Sequence, residues 1–225
     1  MEIGQSAGKS YAYILGVYLG DGCVTLQVSH NSGPQTQWYP VFRLNTIDAD
    51  FAESVKTALA ELTDRPVNIC THEVKKSSKP NHSLRCGDPD LCKRLVDDTD
   101  SKKIIPAYVW QWSKAEKLAF IAGLMDSEGF VSKNHQKDTS FYMGFKCCES
   151  WVPEFVRLVE SVGIKTGKLS VCPPYKDGYK TPMRFHIKMQ SWVREGAYFK
   201  IQRKQARIDE WNSRRLSSET ICLAA

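Results

Sequence analysis

The sequence predicts an α+β fold built from two related halves, each running helix, hairpin, helix, strands, helix. Three observations predict it. The apolar segment Ala12–Val24 is answered by Ala119–Val131, where Ala119 stands 107 residues after Ala12, and each copy closes on an acidic residue followed by Gly, a common helix stop. Each copy is followed by two strand-like stretches separated by a polar loop. The chain has 225 residues, 42% of them hydrophobic and 11% aromatic, enough for one large or two small packed domains and too apolar for a disordered chain.

Met1–Ser10 reads as a polar leader. Its Gly8-Lys9-Ser10 ends like a phosphate-binding loop, but Gly4 stands one residue too close and no strand leads into it. The first motif helix follows, with Ala12, Gly16 and Gly20 on one stripe; Ala119, Gly123 and Ser127 make the same stripe in the second copy. Small residues at that spacing let two helix backbones approach, so the two helices are predicted to pack on each other. The first hairpin is Cys23–Ser29 and Trp38–Thr46 around the loop His30–Gln37. Helix Asp50–Leu62, strands Val67–Val74 and Ser83–Cys86, and helix Pro89–Val96 complete the half. After the second motif come Phe130–Lys133, the loop Asn134–Thr139, Ser140–Cys148, helix Val152–Val162, strands Lys168–Cys172 and Met183–Met189, and helix Lys200–Ser213. The predicted division is a leader at 1–10, a first subdomain at 11–98, a linker at 99–113 with Pro106 and Ser101-Lys102-Lys103, a second subdomain at 114–216, and a tail at 217–225.

Composition narrows the function. The 31 Lys+Arg against 25 Asp+Glu leave a formal net charge of +6, too small for a general polyanion magnet, so placement of the basic residues matters more than their number. The longest apolar runs, such as Leu118–Met125, fall far short of the roughly 20 residues of a bilayer-crossing helix. The N-terminus lacks the layout of a secretory signal, which predicts a reducing compartment, cytoplasm or organelle matrix, with thiols in place of disulfides. The eight Cys, at 23, 70, 86, 92, 147, 148, 172 and 222, include no pair at zinc-knuckle spacing, and most read as core residues. Nothing supports a dinucleotide loop or a nucleophile elbow. A missing splice-junction Cys/Ser and His-Asn point to a free-standing or intron-encoded protein in place of an intein.

Ile14-Leu15-Gly16-Val17-Tyr18-Leu19-Gly20-Asp21-Gly22 and Ile121-Ala122-Gly123-Leu124-Met125-Asp126-Ser127-Glu128-Gly129 resemble the two signature motifs of single-chain LAGLIDADG homing endonucleases. The resemblance extends to the order of elements across nearly the whole chain. It implies a pseudo-twofold pair of αββαββα subdomains joined through two packed motif helices, with antiparallel DNA-binding sheets. It further implies a monomer that binds a long, non-palindromic double-stranded DNA target and, with Mg²⁺ (or Mn²⁺ as substitute), hydrolyses a phosphodiester in each strand, as in intron homing. Asp21 and Glu128 fall on the metal-binding, catalytic carboxylate positions, with Gly20 and Ser127 beside them in the metal site. Lys102 or Lys103, and Lys200 or Lys204, lie at sites resembling the family's peripheral catalytic lysines; Lys103, Lys200 and Lys204 are the candidates carried forward. The physics agrees, because a carboxylate at a helix C-terminus faces the negative end of the dipole, and a hard divalent cation relieves that penalty.

The family pattern is not complete. Leu19 replaces an often acidic position that Asp126 retains, and the hairpin ends Thr46-Ile47-Asp48 and Cys148-Glu149-Ser150 lack the family's Gln-Lys pair. That departure keeps open the alternative of an RNA maturase or a catalytically inactive DNA-binding protein of the same fold.

Strands and loops after the motifs carry the candidate DNA contacts. They are Gln27, Ser29, Asn31, Gln35, Gln37, Arg43, His72, Lys75 and Arg85 in the first half, and Lys133, His135, Lys137, Lys146, Lys168, Lys176, Arg184, His186 and Lys188 in the second. Alternation puts Arg184, His186 and Lys188 on one face with Phe185, Ile187 and Met189 opposed, and aligns Gln27 with Ser29. Arg and Lys suit guanine edges, Asn and Gln suit adenine, and other Lys suit phosphate.

Overall fold

The structure, a computed structural model, describes residues 8–29, 37–73, 79–133, 141–174, 176 and 178–223. Its elements are α1 (Gly8–Leu19), β1 (Cys23–Ser29), β2 (Gln37–Thr46), α2 (Ala49–Ala60), β3 (Val67–His72), β4 (Asn81–Cys86), α3 (Pro89–Asp98), a 3-10 turn at Ala107–Gln111, α4 (Lys114–Glu128), β5 (Gly129–Lys133), β6 (Phe141–Cys147), α5 (Val152–Ser161), β7 (Ser170–Val171), β8 (Met183–Ile187), α6 (Met189–Arg194) and α7 (Gln202–Leu223). The strands form two antiparallel four-stranded sheets of identical order, β1-β2-β4-β3 and β5-β6-β8-β7. The chain divides into compact units at Ser127/Glu128, so α4 up to Ser127 clusters with the first unit.

In the first unit the sheet packs Phe42, Leu44, Leu84 and Cys86 against Phe51, Val55 and Leu59 of α2 and Cys92 and Leu95 of α3, all essentially inaccessible to water. Helix α3 starts where Asp88 accepts from Leu91 N at 2.9 Å and Pro89 sets the first helical φ. Burial alone would raise the Asp88 carboxyl, but that amide and the Thr63 hydroxyl outweigh it and hold the group below its ordinary range. Helix α4 starts on a capping box: Glu116 N donates to Ser113 Oγ at 3.3 Å, and Ser113 N donates back to Glu116 Oε2 at 2.9 Å.

Helices α1 and α4 meet through their glycines. A Cβ added at Gly16 would collide with the Phe120 carbonyl oxygen and come within 3.0 Å of Leu124 N; one added at Gly123 would collide with the Tyr13 carbonyl oxygen and come within 2.9 Å of Val17 N. These are one contact read in both directions, because Gly123, Phe120 and Leu124 each stand 107 residues after Gly16, Tyr13 and Val17. Beside them the buried Tyr13 hydroxyl donates to Asp126 Oδ2 at 3.0 Å across the helix pair. The motif position that Leu19 leaves apolar in α1 is thus occupied in α4 by a carboxylate with a partner.

The second unit has an aromatic core. Phe145 lies 4.7 Å from Phe155 and 5.6 Å from Phe185, ring centre to ring centre, and Trp151 packs on both Phe145 and Phe155. Helix α7 is tied to β5 by Arg207, which donates to the Val131 carbonyl, and by Lys133, which pairs with Glu210 at 3.5 Å.

Several sequence expectations are corrected. Gly8-Lys9-Ser10 forms the first turn of α1, held where Ser10 Oγ donates to the Glu61 carboxylate, so residues 8–10 are not a leader. Met183–Met189 is a strand only to Ile187 and then turns into α6, because Lys188 N bonds Lys165 O and the amides of Ser191 and Trp192 both return to Lys188 O. Helix α7 continues beyond 216 to Leu223. Of the seven cysteines whose side chains are described, all free, only Cys86, Cys92 and Cys147 are buried; Cys70 and Cys148 are exposed, since each falls on the outer face of its sheet or on its end. No described helix is long and apolar enough to cross a membrane.

Candidate active site and nucleic-acid interface

Helix α1 stops in two steps, with Gly20 N on Gly16 O at 3.1 Å and Gly22 N on Val17 O at 2.8 Å. Gly22 is buried where a Cβ would come within 3.0 Å of the Phe42 ring, Tyr18 Cα and Val17 O, so a side chain does not fit. Asp21 projects between these glycines, exposed, at the negative end of the helix. The carbonyls on either side of it converge on one cation: Lys102 Nζ donates to Gly20 O at 2.6 Å and to Gly22 O at 3.1 Å.

Lys102 reaches that position from a strained segment. Asp100, Ser101 and Lys102 have φ of 44°, 55° and 73°, three successive non-glycine residues in left-handed backbone. Such residues cost about 1–3 kcal/mol each and persist only where surrounding structure fixes them. Here buried Thr99 does so. Its hydroxyl donates to Leu95 O at 2.8 Å and accepts from Lys102 N at 3.0 Å, and its carbonyl accepts from Lys103 N and Ile104 N. The neighbouring Lys103 Nζ lies 3.3 Å from Asp100.

In the second unit Glu128, the last residue of α4, is half-buried. Burial and then the nearby Glu128 carboxylate push the Cys147 thiol up to about 11. Ser127 Oγ donates back to Gly123 O at 3.1 Å within α4. Lys204 is buried, 4% exposed, with its ammonium 5.6 Å from the Phe199 ring centre, whereas Lys200 lies over the Tyr198 ring at 5.4 Å. A buried lysine is rare enough to single out Lys204 from the other basic residues of α7.

The hairpin ends serve local structure. Thr46 Oγ1 accepts from Asp48 N at 3.1 Å on the way into α2, and Glu149 pairs with Lys180 at 3.0 Å. Among the described residues no three His, Cys, Asp or Glu side chains cluster as a metal site.

The outer face of the first sheet is polar. Arg43 Nη2 donates to Gln27 Oε1 at 3.1 Å, and Gln27, Tyr39, Arg65, Asn68 and Arg85 line a groove of about 390 Å³. Ser29 and Gln37 face each other at the far end of the β1–β2 ladder, and exposed His72 lies at the end of β3. On the second sheet Lys146 and His186 are exposed and Arg184 half-buried; Lys188, expected on the same strand face, lies beyond β8 at the start of α6 and is exposed, as are Lys168 and Lys176. A cavity of about 540 Å³ is lined by Tyr142, Lys165, His186, Lys188, Arg194 and Trp211 among others. Lys133 is engaged with Glu210 and the Phe141 ring. Asn31, Gln35, Lys75, His135 and Lys137 lie outside the described residues. Asn68, Tyr142 and Phe130 escaped the sequence reading. The first two were available from alternation on β3 and β6, whereas Phe130 reads as core until its register with Gly144 is known.

This fold, two αββαββα halves in each of which an antiparallel four-stranded sheet follows a motif helix in the chain, is that of the LAGLIDADG homing endonucleases. A variant of the homing endonuclease I-DmoI, solved with its target DNA in the presence of manganese, superposes with a TM-score of 0.55 at 15% identity over 85% of this chain and 96% of that one. A variant of I-SmaMI gives 0.52 at 12% identity over 93% of this chain and 92% of that one. No family model matches the sequence. An uncharacterized protein of Methanocaldococcus jannaschii is 27% identical over 134 residues, 59% of this chain and 43% of that protein, so the match spans less than half the length of this relative.

Proposed function

We propose that the chain is a site-specific homing endonuclease that binds double-stranded DNA through its two sheets and cleaves both strands with divalent metal. The observation that carries this reading is the glycine-to-glycine contact of α1 with α4, each helix running into an acidic residue, Asp21 or Glu128, ahead of a sheet with a basic outer face. The donor set fits a hard cation. It offers carboxylate and backbone oxygen, and one carboxylate per motif suits Mg²⁺, which is usually held by one or two carboxylates with waters and substrate phosphate completing its shell. Asp21 and Glu128 would each offer such a carboxylate, and a divalent ion so bound supplies Lewis acidity toward phosphoryl oxygens and a more acidic water.

The chain's own residues do the rest. Lys102 binds the carbonyls flanking Asp21 and fixes the direction in which that carboxylate projects, and Lys204 supplies a buried positive charge in its own unit. Arg, Lys, Gln and Asn on the sheets hold the duplex and read base edges. A binding-only protein is the second reading, favoured by Thr46-Ile47-Asp48 and by the Glu149–Lys180 pair at the hairpin ends.

Cleavage of selected DNA by purified variants separates the two. Asp21→Asn or Glu128→Gln reduces cutting to background with DNA affinity largely intact; undiminished cutting by either removes that residue from the role. Lys102→Met lowers kcat with KM nearly unchanged and Lys102→Arg restores part of it, whereas equal kcat in Lys102→Met and the parent would show the cation to be a helix cap alone.

A further inference from the structure

The two sheets present different chemistry at the same rung of their ladders. Two residues beyond Asp21 the rung reads Cys23, Arg43, Arg85 across β1, β2 and β4; two residues beyond Glu128 it reads Phe130, Gly144, His186 across β5, β6 and β8. In the second sheet Phe130, His186 and the neighbouring Tyr142 form a triangle of rings. Centre-to-centre separations are 6.4 Å for Phe130–Tyr142, 6.3 Å for Phe130–His186 and 6.2 Å for Tyr142–His186, with interplanar angles of 75°, 86° and 71°. Gly144 makes the triangle possible, because a Cβ there would come within 2.7 Å of Phe130 Cζ and 2.6 Å of Phe185 O. The rings are not core. His186 is exposed, Phe130 half-buried and Tyr142 40% exposed, on the face opposite buried Phe145, Phe185 and Ile187. Arg184 lies over Phe130 at 5.1 Å, and its Nε has no hydrogen-bond partner among the described residues.

We infer that the Phe130–Tyr142–His186 patch reads thymine through its C5-methyl group in the DNA half-site covered by the second sheet, while Arg43 and Arg85 at the matching rung of the first sheet read guanine. This rests on the endonuclease reading above. A two-stranded ribbon fits the major groove, where the methyl is the one apolar feature of the base edges and apolar side chains are its natural contact. Edge-to-face rings leave a shallow apolar surface and offer no parallel slot for a stacked base. Burial, then the charges of Arg184 and Lys188, hold the His186 imidazole below its ordinary range, which favours the uncharged ring. The difference at one rung makes the target asymmetric close to the motif helices.

The test uses the full chain and double-stranded DNA libraries made either with thymine or with deoxyuridine, which lacks only the methyl. Sites selected from the thymine library carry an invariant thymine in one half, and replacing that base by uracil weakens binding about 3- to 10-fold, the scale of one buried methyl. Tyr142→Ser and Phe130→Leu shrink that penalty without altering the guanine preference of the other half. Equal binding of thymine and uracil forms at every position overturns the inference and leaves DNA binding standing. So does a preference for single-stranded over duplex DNA, which would make the rings a stacking platform. Failure to bind either duplex library sinks the endonuclease reading itself. The uracil comparison on the parent protein needs no variant to fold.

Discussion

The contact between α1 and α4 and the outer faces of the two sheets have diverged to very different degrees. Across the helix pair matching glycines meet matching carbonyls in both directions, and the contact repeats position for position at an offset of 107 residues. Across the sheets the strand order repeats, yet Arg43 and Arg85 stand where Gly144 and His186 stand in the second unit. Backbone approach admits few side chains, so packing holds the helices to one solution. A solvent-facing rung has no such restriction and is free to follow a ligand that differs from one half to the other.

Substitutions break or sharpen this contrast. Gly16→Ala forces a methyl into the backbone of α4 and costs about 3 kcal/mol or more, at the upper end of overpacking effects; a urea midpoint within error of the parent would refute the contact. Tyr13→Phe takes the hydroxyl from Asp126 and costs about 1–3 kcal/mol by the same measurement. Arg85→Ala does the opposite, leaving the unfolding stability in urea within about 0.5 kcal/mol of the parent while weakening DNA binding by about 1–3 kcal/mol if it contacts a base. A large stability loss in Arg85→Ala would return that residue to the scaffold.

Legibility in the sequence follows the same line. The motif helices were readable as unbroken apolar runs closed by an acidic residue and Gly, α2 and α5 from one apolar face at helical spacing, and the first hairpin from alternation, with β1 bounded as predicted by Cys23 and Ser29. Helix α6 was hidden because Phe185, Ile187 and Met189 alternate like a strand although the chain turns at Lys188. The candidate site was legible at Asp21 and Glu128, which close periodic segments. Lys102 was named beside Lys103 through the family resemblance, but its reach to Gly20 O and Gly22 O depends on a left-handed run that Thr99 enforces through the tertiary fold, and the Phe130 triangle depends on a glycine one strand away; neither was legible.

Selection of sites from a duplex library by the purified chain, run in parallel with Mg²⁺ and with chelator, tests the central claim most directly. Cleaved ends at one asymmetric sequence in Mg²⁺, with the same sequence bound but uncut in chelator, is the result expected of a metal-dependent homing endonuclease. Bound and uncut DNA under both conditions would contradict it and leave a DNA-binding protein of this fold.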